Sequence, residues 1–227
     1  MAGDAQTPTL LATLSDSGVE VAEDGKPRCW WAVGDPLYRR YHDDEWGRPV
    51  ADDRRLFEKL SLEGFMSGLS WWTILRKRDS FRTAFAGFDP AAIAAFGAND
   101  EKRLRADTGI VRNRAKISAT VNNARRYAEL KTEFGSLAAY VWKFEPPRRE
   151  HALDREALLS VKFSAEAAAM SKDLRRRGWA FVGPTTVYSF MQAMGLVNDH
   201  LEHCHVWSEV EAERDAFERP RARPSHR

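Results

Sequence analysis

Two cysteines, Cys29 and Cys204, each lie close to a histidine, and this pairing limits the possible folds more than any other feature of the chain. Cys29 stands thirteen residues before His42, and His200 precedes Cys204 in a His-x3-Cys arrangement. Two thiolates and two imidazoles form a ligand set that suits tetrahedral zinc. If all four meet, the ion ties residue 29 to residue 204. A closed set of four protein ligands leaves no position for a reacting water, so such a metal is structural. The spacing alone leaves alternatives open. Neither half has the short Cys-x2-Cys form, His203 and His205 are rival ligands, and two buried cysteines unrelated to any metal would show the same pattern.

A chain of 227 residues can bury a full core as one domain or as two small ones. Hydrophobic residues make up 43% and charged residues 30%, the balance of a soluble globular protein. No apolar run reaches the roughly 18 residues of a membrane span. The N-terminus lacks the basic stretch and apolar segment of a secretory signal. Two cysteines, both candidates for zinc, suit a reducing, cytoplasmic setting. The net charge of +2 is too small to reveal a nucleic-acid partner, and the basic clusters at Arg112–Lys116, Arg125–Arg126 and Lys172–Arg177 read first as solvated helix faces. Trp30, Trp31, Trp46, Trp71 and Trp72 crowd the first third of the chain, as core or as faces for stacking on planar bases.

Residues 1–27 are polar and aperiodic and are expected to be a disordered tail; residues 208–227, basic and proline-containing at their end, are expected to be a second, mobile one. The segment 28–207 between them is expected to be the functional domain. Helical signals dominate it. Asp52 or Asp53 caps a helix to about Met66, Asp89-Pro90 opens Ala91–Phe96, and Asn99-Asp100-Glu101 starts one that stops near Gly109. Arg112–Phe134 ends at Gly135, and Ser136 caps Leu137–Trp142. Ser164–Arg177 ends at Gly178, and Pro184–Met194 is closed by Gly195. Strand alternation is hard to find, so the expected fold class is all-α.

Within the first of these helices Leu56, Leu60 and Glu63 share one face, which places a carboxylate on the stripe that turns toward the core. A buried ion pair explains such a residue, and so does function, because an acid there is costly without a partner. Gly68 then breaks the helix and presents Leu69 on a turn. Packing accounts for an apolar residue there, as does wedging into a base stack. Tyr41-His42-Asp43-Asp44-Glu45-Trp46 gathers a phenol, an imidazole, three carboxylates and an indole, either as a polar turn or as a site anchored by His42. Phe181-Val182-Gly183-Pro184 joins two helices through a glycine turn, where backbone N–H groups can face a phosphate. Most such turns bind nothing.

Together these strings are specific. Cys29, Asp35-Pro36-Leu37-Tyr38, Tyr41 through Gly47, Leu62-Glu63-Gly64, Gly68-Leu69-Ser70-Trp71, Gly109 through Arg112, Phe181 through Pro184 and Ser189 through His200 resemble the 3-methyladenine DNA glycosylase I family, the zinc-containing branch of the helix–hairpin–helix glycosylases. The resemblance spans residues 28–205.

It implies a helix–hairpin–helix architecture with one structural zinc per chain, held by Cys29, His42, His200 and Cys204 and joining the N- and C-terminal parts. Glu63 is implied as the catalytic residue that bonds the extruded base, with Trp71 stacked on it and Tyr41 and Trp46 completing the pocket. Gly68 and Leu69 are implied to fill the gap in the duplex, and Phe181, Val182 and Gly183 to hold the DNA backbone. The implied reaction is hydrolytic excision of 3-methyladenine from double-stranded alkylated DNA by a monomer, releasing the free base and leaving an abasic site without strand cleavage. One departure concerns Met66 and Ser67, where many family members carry glutamine and alanine; it touches DNA contacts and substrate breadth. The rival readings are a non-catalytic binder of alkylated DNA and a zinc hydrolase, and no His-Glu-x-x-His motif supports the latter.

Overall fold

A computed structural model describes residues 18–222. Two short strands, β1 (Val19–Val21) and β2 (Pro27–Cys29), pair antiparallel with Val19 opposite Cys29. The other elements are helical. In chain order they begin with α1 (Pro36–Asp44), α2 (Asp53–Met66), α3 (Trp71–Leu75), α4 (Arg78–Ala84), α5 (Pro90–Ala94) and α6 (Ala98–Ala106). They continue with α7 (Arg114–Phe134), α8 (Leu137–Trp142), α9 (Arg155–Ser160), α10 (Ala165–Arg176), α11 (Pro184–Ala193) and α12 (Trp207–Ala216). None of the described helices is long and apolar enough to cross a membrane.

Local chemistry explains most boundaries. Asp52 accepts a hydrogen bond from Arg55 N at 2.8 Å and opens α2, and Ser164 does the same for α10 through Ala167 N at 3.1 Å. Asn113 takes the cap of α7 through Lys116 N at 3.1 Å, so that helix starts at Arg114 and not at Arg112. The helix at Pro90 stops at Ala94, two residues short of Phe96, and α11 stops at Ala193.

The described chain divides into two compact units. One contains the described part of Met1–Pro49 with Pro147–Lys162 and Gln192–Phe217. Its core gathers Val19, Cys29, Leu201, Cys204, Val206 and Val210. Two sequence expectations change here. Residues 19–21 and 27 belong to the strand pair and not to a tail, because β1 brings Val19 into this core. Residues 1–17 lie outside the described residues. At the other end α12 takes residues 208–216 out of the expected mobile segment, because Val210 is fully buried and the buried Arg214 donates to Leu196 O at 2.9 Å.

The second unit contains Val50–Pro146, Phe163–Met191 and Glu218–Arg227 as far as residue 222. Phe81, Phe85 and Phe88 stack in series inside it, with Phe65 tilted against Phe81. The Asp53 carboxylate ties three helices together: it accepts from Tyr127 OH at 2.7 Å and from Leu137 N and Ala138 N at 3.1 and 2.9 Å. This bond fixes α2, and with it the position of Glu63.

Candidate functional site

In the first unit β2 ends on Cys29, the last turn of α1 carries His42, and the segment before α12 supplies His200 and Cys204. Asp35 caps α1 through Leu37 N at 2.7 Å and Pro36 takes its first position, so the Tyr41–Asp44 string is helical and not a polar turn. Asn198 holds the other half: it donates to Trp207 O and Glu211 Oε1 at 3.0 and 2.9 Å and accepts from His200 N at 3.3 Å. Gly47 has φ +82°, and a Cβ there would stand 3.0 Å from the His200 ring, so only glycine admits the imidazole.

The four ligand atoms lie within 4.8 Å of one another and all four residues are buried. His200 Nδ1 stands 3.2 Å from His42 Nε2, and Cys204 Sγ stands 3.6 and 3.7 Å from those two nitrogens. A tetrahedral zinc with ordinary bond lengths separates two nitrogens by about 3.3 Å and nitrogen from sulfur by about 3.6 Å. Three of the atoms therefore stand at the spacing of such an ion, and Cys29 Sγ lies slightly farther out, 4.0 Å from His200 Nδ1, so the cluster could hold a metal ion. The remaining ring nitrogens are engaged as metal-bound histidines require: His42 Nδ1 faces Asp43 Oδ1 at 2.8 Å and His200 Nε2 faces Trp46 O at 2.9 Å. His203 and His205, the rival ligands, stay outside the cluster.

Burial sets the protonation of this group. It holds His200 below its ordinary value, in the neutral form that binds metal, and pushes the Cys29 thiol well up. The hydrogen bond from Cys29, joined by His200 and His42, draws Cys204 down. A divalent ion would hold both sulfurs as thiolates. Burial works against a charged His42, but Asp43 and Cys204 prevail and raise it. Asp43, in turn, is held low against its burial by His42 and by Arg28, whose Nε and Nη2 reach it at 2.9 and 2.7 Å. Arg28 is 2% exposed, so this is a buried brace behind a ligand. Sequence reasoning passed over it.

Tyr41 is buried near the Tyr38 ring, at 6.4 Å between centroids. Trp46 lies 6.3 Å from the His42 ring and 4.7 Å from the His200 ring. Trp31, read from sequence only as core or as a stacking face, stands 5.0 Å from Tyr38, from His42 and from Trp46.

In the second unit Glu63 is 3% exposed on α2. Its Oε1 lies 2.7 Å from Lys59 Nζ, one turn earlier. Its Oε2 is buried and accepts no hydrogen bond among the described residues. The same Lys59 Nζ sits 3.1 Å from the centroid of the Trp71 ring. Lys59 thus brings Glu63 and Trp71 to one place. Sequence reasoning missed it, although its i, i+4 spacing from Glu63 was the available signal.

Past Met66 the chain turns at Gly68, φ +77°, and Leu69 is 44% exposed. Buried Lys116 braces this turn by donating to Phe65 O at 2.8 Å and Ser67 O at 2.6 Å, a cation placed where the carbonyls of α2 run out. Ser67 thus contributes its carbonyl, and Met66 ends the helix. Between α10 and α11, Phe181 has φ +56° and is half-exposed, while Val182 is buried with its carbonyl accepting from Ser171 Oγ at 2.7 Å. Asn123 on α7 grips that segment by both backbone groups of Ala180, each at 2.9 Å. A Cβ at Gly64 would stand 3.2 Å from Phe181 Cβ, so the helix bearing Glu63 packs closely on this loop.

A family model described as methyladenine glycosylase matches residues 31–207. The chain belongs to the methyladenine glycosylase family. The DNA-3-methyladenine glycosylase 1 of Escherichia coli (strain K12) is 45% identical over 178 residues, covering 78% of this chain and 95% of that protein. A crystal structure of a 3-methyladenine DNA glycosylase I matches with a TM-score of 0.74 at 45% identity, covering 78% of this chain and 98% of that one. A second structure, concerned with 3-methyladenine recognition by the Staphylococcus aureus glycosylase, matches with a TM-score of 0.75 at 36% identity and covers 79% and 96%. The methyladenine glycosylase match leaves outside it the whole strand pair and all of α12 after Trp207.

Proposed function

We propose that this methyladenine glycosylase excises 3-methyladenine from alkylated double-stranded DNA by hydrolysis, with residues 28–207 as the glycosylase domain. Methylation at N3 gives the base a positive charge and weakens its bond to the sugar. Water forms the new bond to C1′ as the C1′–N9 bond breaks, and that electron pair stays with the base, which leaves neutral. An abasic site remains, and the proton released by water passes to an acceptor. Modest assistance suffices for such a leaving group.

The observation that carries the site is the Glu63 carboxylate, held nearly out of solvent with one oxygen paired to Lys59 and the other accepting no hydrogen bond among the described residues. A buried acceptor without a donor costs about 1–3 kcal/mol, and a flipped base supplies N–H donors. Trp71 is the stacking face beside it. Leu69, exposed on the Gly68 turn, enters the duplex in place of the extruded nucleotide. The segment Phe181–Gly183, with α10 and α11 on either side, acts as the helix–hairpin–helix element that binds the phosphate backbone. The Cys29, His42, His200 and Cys204 cluster holds one structural zinc, which supplies no reacting water because its ligand set is full.

The test is release of the free base. Incubation with N3-methylated DNA is expected to liberate 3-methyladenine in multiple turnovers. Binding of the alkylated duplex with no release above background would favour a non-catalytic binder.

A further inference from the structure

Lys59 is a buried ammonium in an unusual position. It is 5% exposed, its Nζ is 2.7 Å from Glu63 Oε1, and the same nitrogen is 3.1 Å from the centre of the Trp71 ring. A positive charge thus rests on the face of the aromatic ring and neutralises the carboxylate beside it. A cationic purine in contact with these two residues would make the same two interactions.

We infer that Lys59 is a specificity-determining residue: an internal cation that holds the Trp71 face and the Glu63 charge until a cationic base replaces it. The inference rests on the excision reading given above. An undamaged, neutral purine that displaced Lys59 would leave Glu63 buried without a counter-charge, which is strongly disfavoured. A base methylated at N3 brings its own charge, so the exchange of one cation for another preserves neutrality. Bond cleavage then removes the charge from the base. The ammonium, on a flexible four-carbon stem one helical turn away, returns to Glu63 and Trp71 and displaces the neutral product. Lys59 thereby rejects normal purines on entry and expels the free base on exit.

Two measurements on the full chain test this. In the wild-type protein the methylene protons next to Lys59 Nζ lie over the indole and resonate far upfield; Lys59→Arg assigns the signal. Titration to saturation with 3,9-dimethyladeninium, a stable cation in which a methyl group at N9 stands for the sugar, is expected to collapse that upfield shift as the side chain leaves the ring. A signal unmoved at saturation overturns the inference. Inhibition of base release by free adenine is the second measurement. Lys59→Ala is expected to bind adenine about tenfold more tightly than wild type, the scale of a desolvated cation–π contact, while Lys59→Arg stays near wild type. Equal adenine affinity in all three proteins overturns it too. Release of 3-methyladenine by the wild type is followed in parallel. Its absence would sink the excision reading together with the inference, whereas its presence with an immobile Lys59 would sink the inference alone.

Discussion

Removing the metal cluster should cost more than any other single change in the first unit. The ion would join β2 and the end of α1 to the segment before α12, with Cys29 and Cys204 about 175 residues apart in the chain. Treated as a cross-link, closure of a loop of that length withdraws about 5 kcal/mol of chain entropy from the unfolded state. Loss of the ion also leaves two imidazoles and two thiols buried around a gap, with like-charged or unpaired groups facing one another. For a domain of this size about 5 kcal/mol corresponds to a fall in melting temperature of roughly 10–20 °C. Cys204→Ala should therefore lose its zinc by elemental analysis and melt that much lower, and wild type stripped by a strong chelator should approach it. A Cys204→Ala protein that keeps one zinc and melts with wild type would refute the reasoning. Rapid loss of turnover on chelation, with the fold intact, would point instead to a metal that takes part in the reaction.

Two further outcomes follow from the second unit. Leu69→Ala removes an exposed side chain, so stability should change by no more than about 0.5 kcal/mol, while turnover on duplex DNA should fall about tenfold or more because unstacking a base costs a few kcal/mol; turnover equal to wild type would exclude a wedge. Asp173 is partly buried, which alone would raise it, but Arg176, Arg177 and Tyr140 bond its carboxylate and hold it at about 2. Its folded value lies below its unfolded one, so its contribution is complete above pH 4 and is lost as the pH falls toward 2. The amount is at most about 2 kcal/mol, and urea titrations of wild type and Asp173→Asn across that window should converge. Parallel pH profiles for the two proteins would contradict this.

The helical part of the fold was legible where a polar cap and a glycine bracket a periodic segment, as at Asp52 and Ser164. Asp35-Pro36 carries the same signal as Asp89-Pro90, yet the dense run of charges after it hid α1. The strand pair escaped because three residues are too few for alternation to register, and its stability comes from Val19 reaching the core that surrounds Cys29 and Cys204. Helix α12 escaped because its buried face includes Arg214, a residue that composition reads as surface. Glu63 could be found from sequence because a carboxylate on an apolar stripe is anomalous. Lys59 could not be singled out in the same way: lysine is common on helices, and only the structure shows its ammonium over Trp71 instead of in solvent. The metal ligands were recognisable as residue types; spacing left His200, His203 and His205 as rivals, the family resemblance implied His200, and the Asn198 bonds and the close approach at Gly47 supply the physical reason.

The central claim is that a buried carboxylate on α2 binds and acts on an alkylated base. Single-turnover release of 3-methyladenine from methylated duplex DNA, compared between wild type and Glu63→Gln, tests it most directly. Glutamine fits the same space and keeps one acceptor, so the fold should persist, with the melting temperature as control. The expected result is a fall in the release rate of about a hundredfold, the scale of a positioned charged group acting on a reacting base. Near-normal release by a folded Glu63→Gln protein would contradict the account.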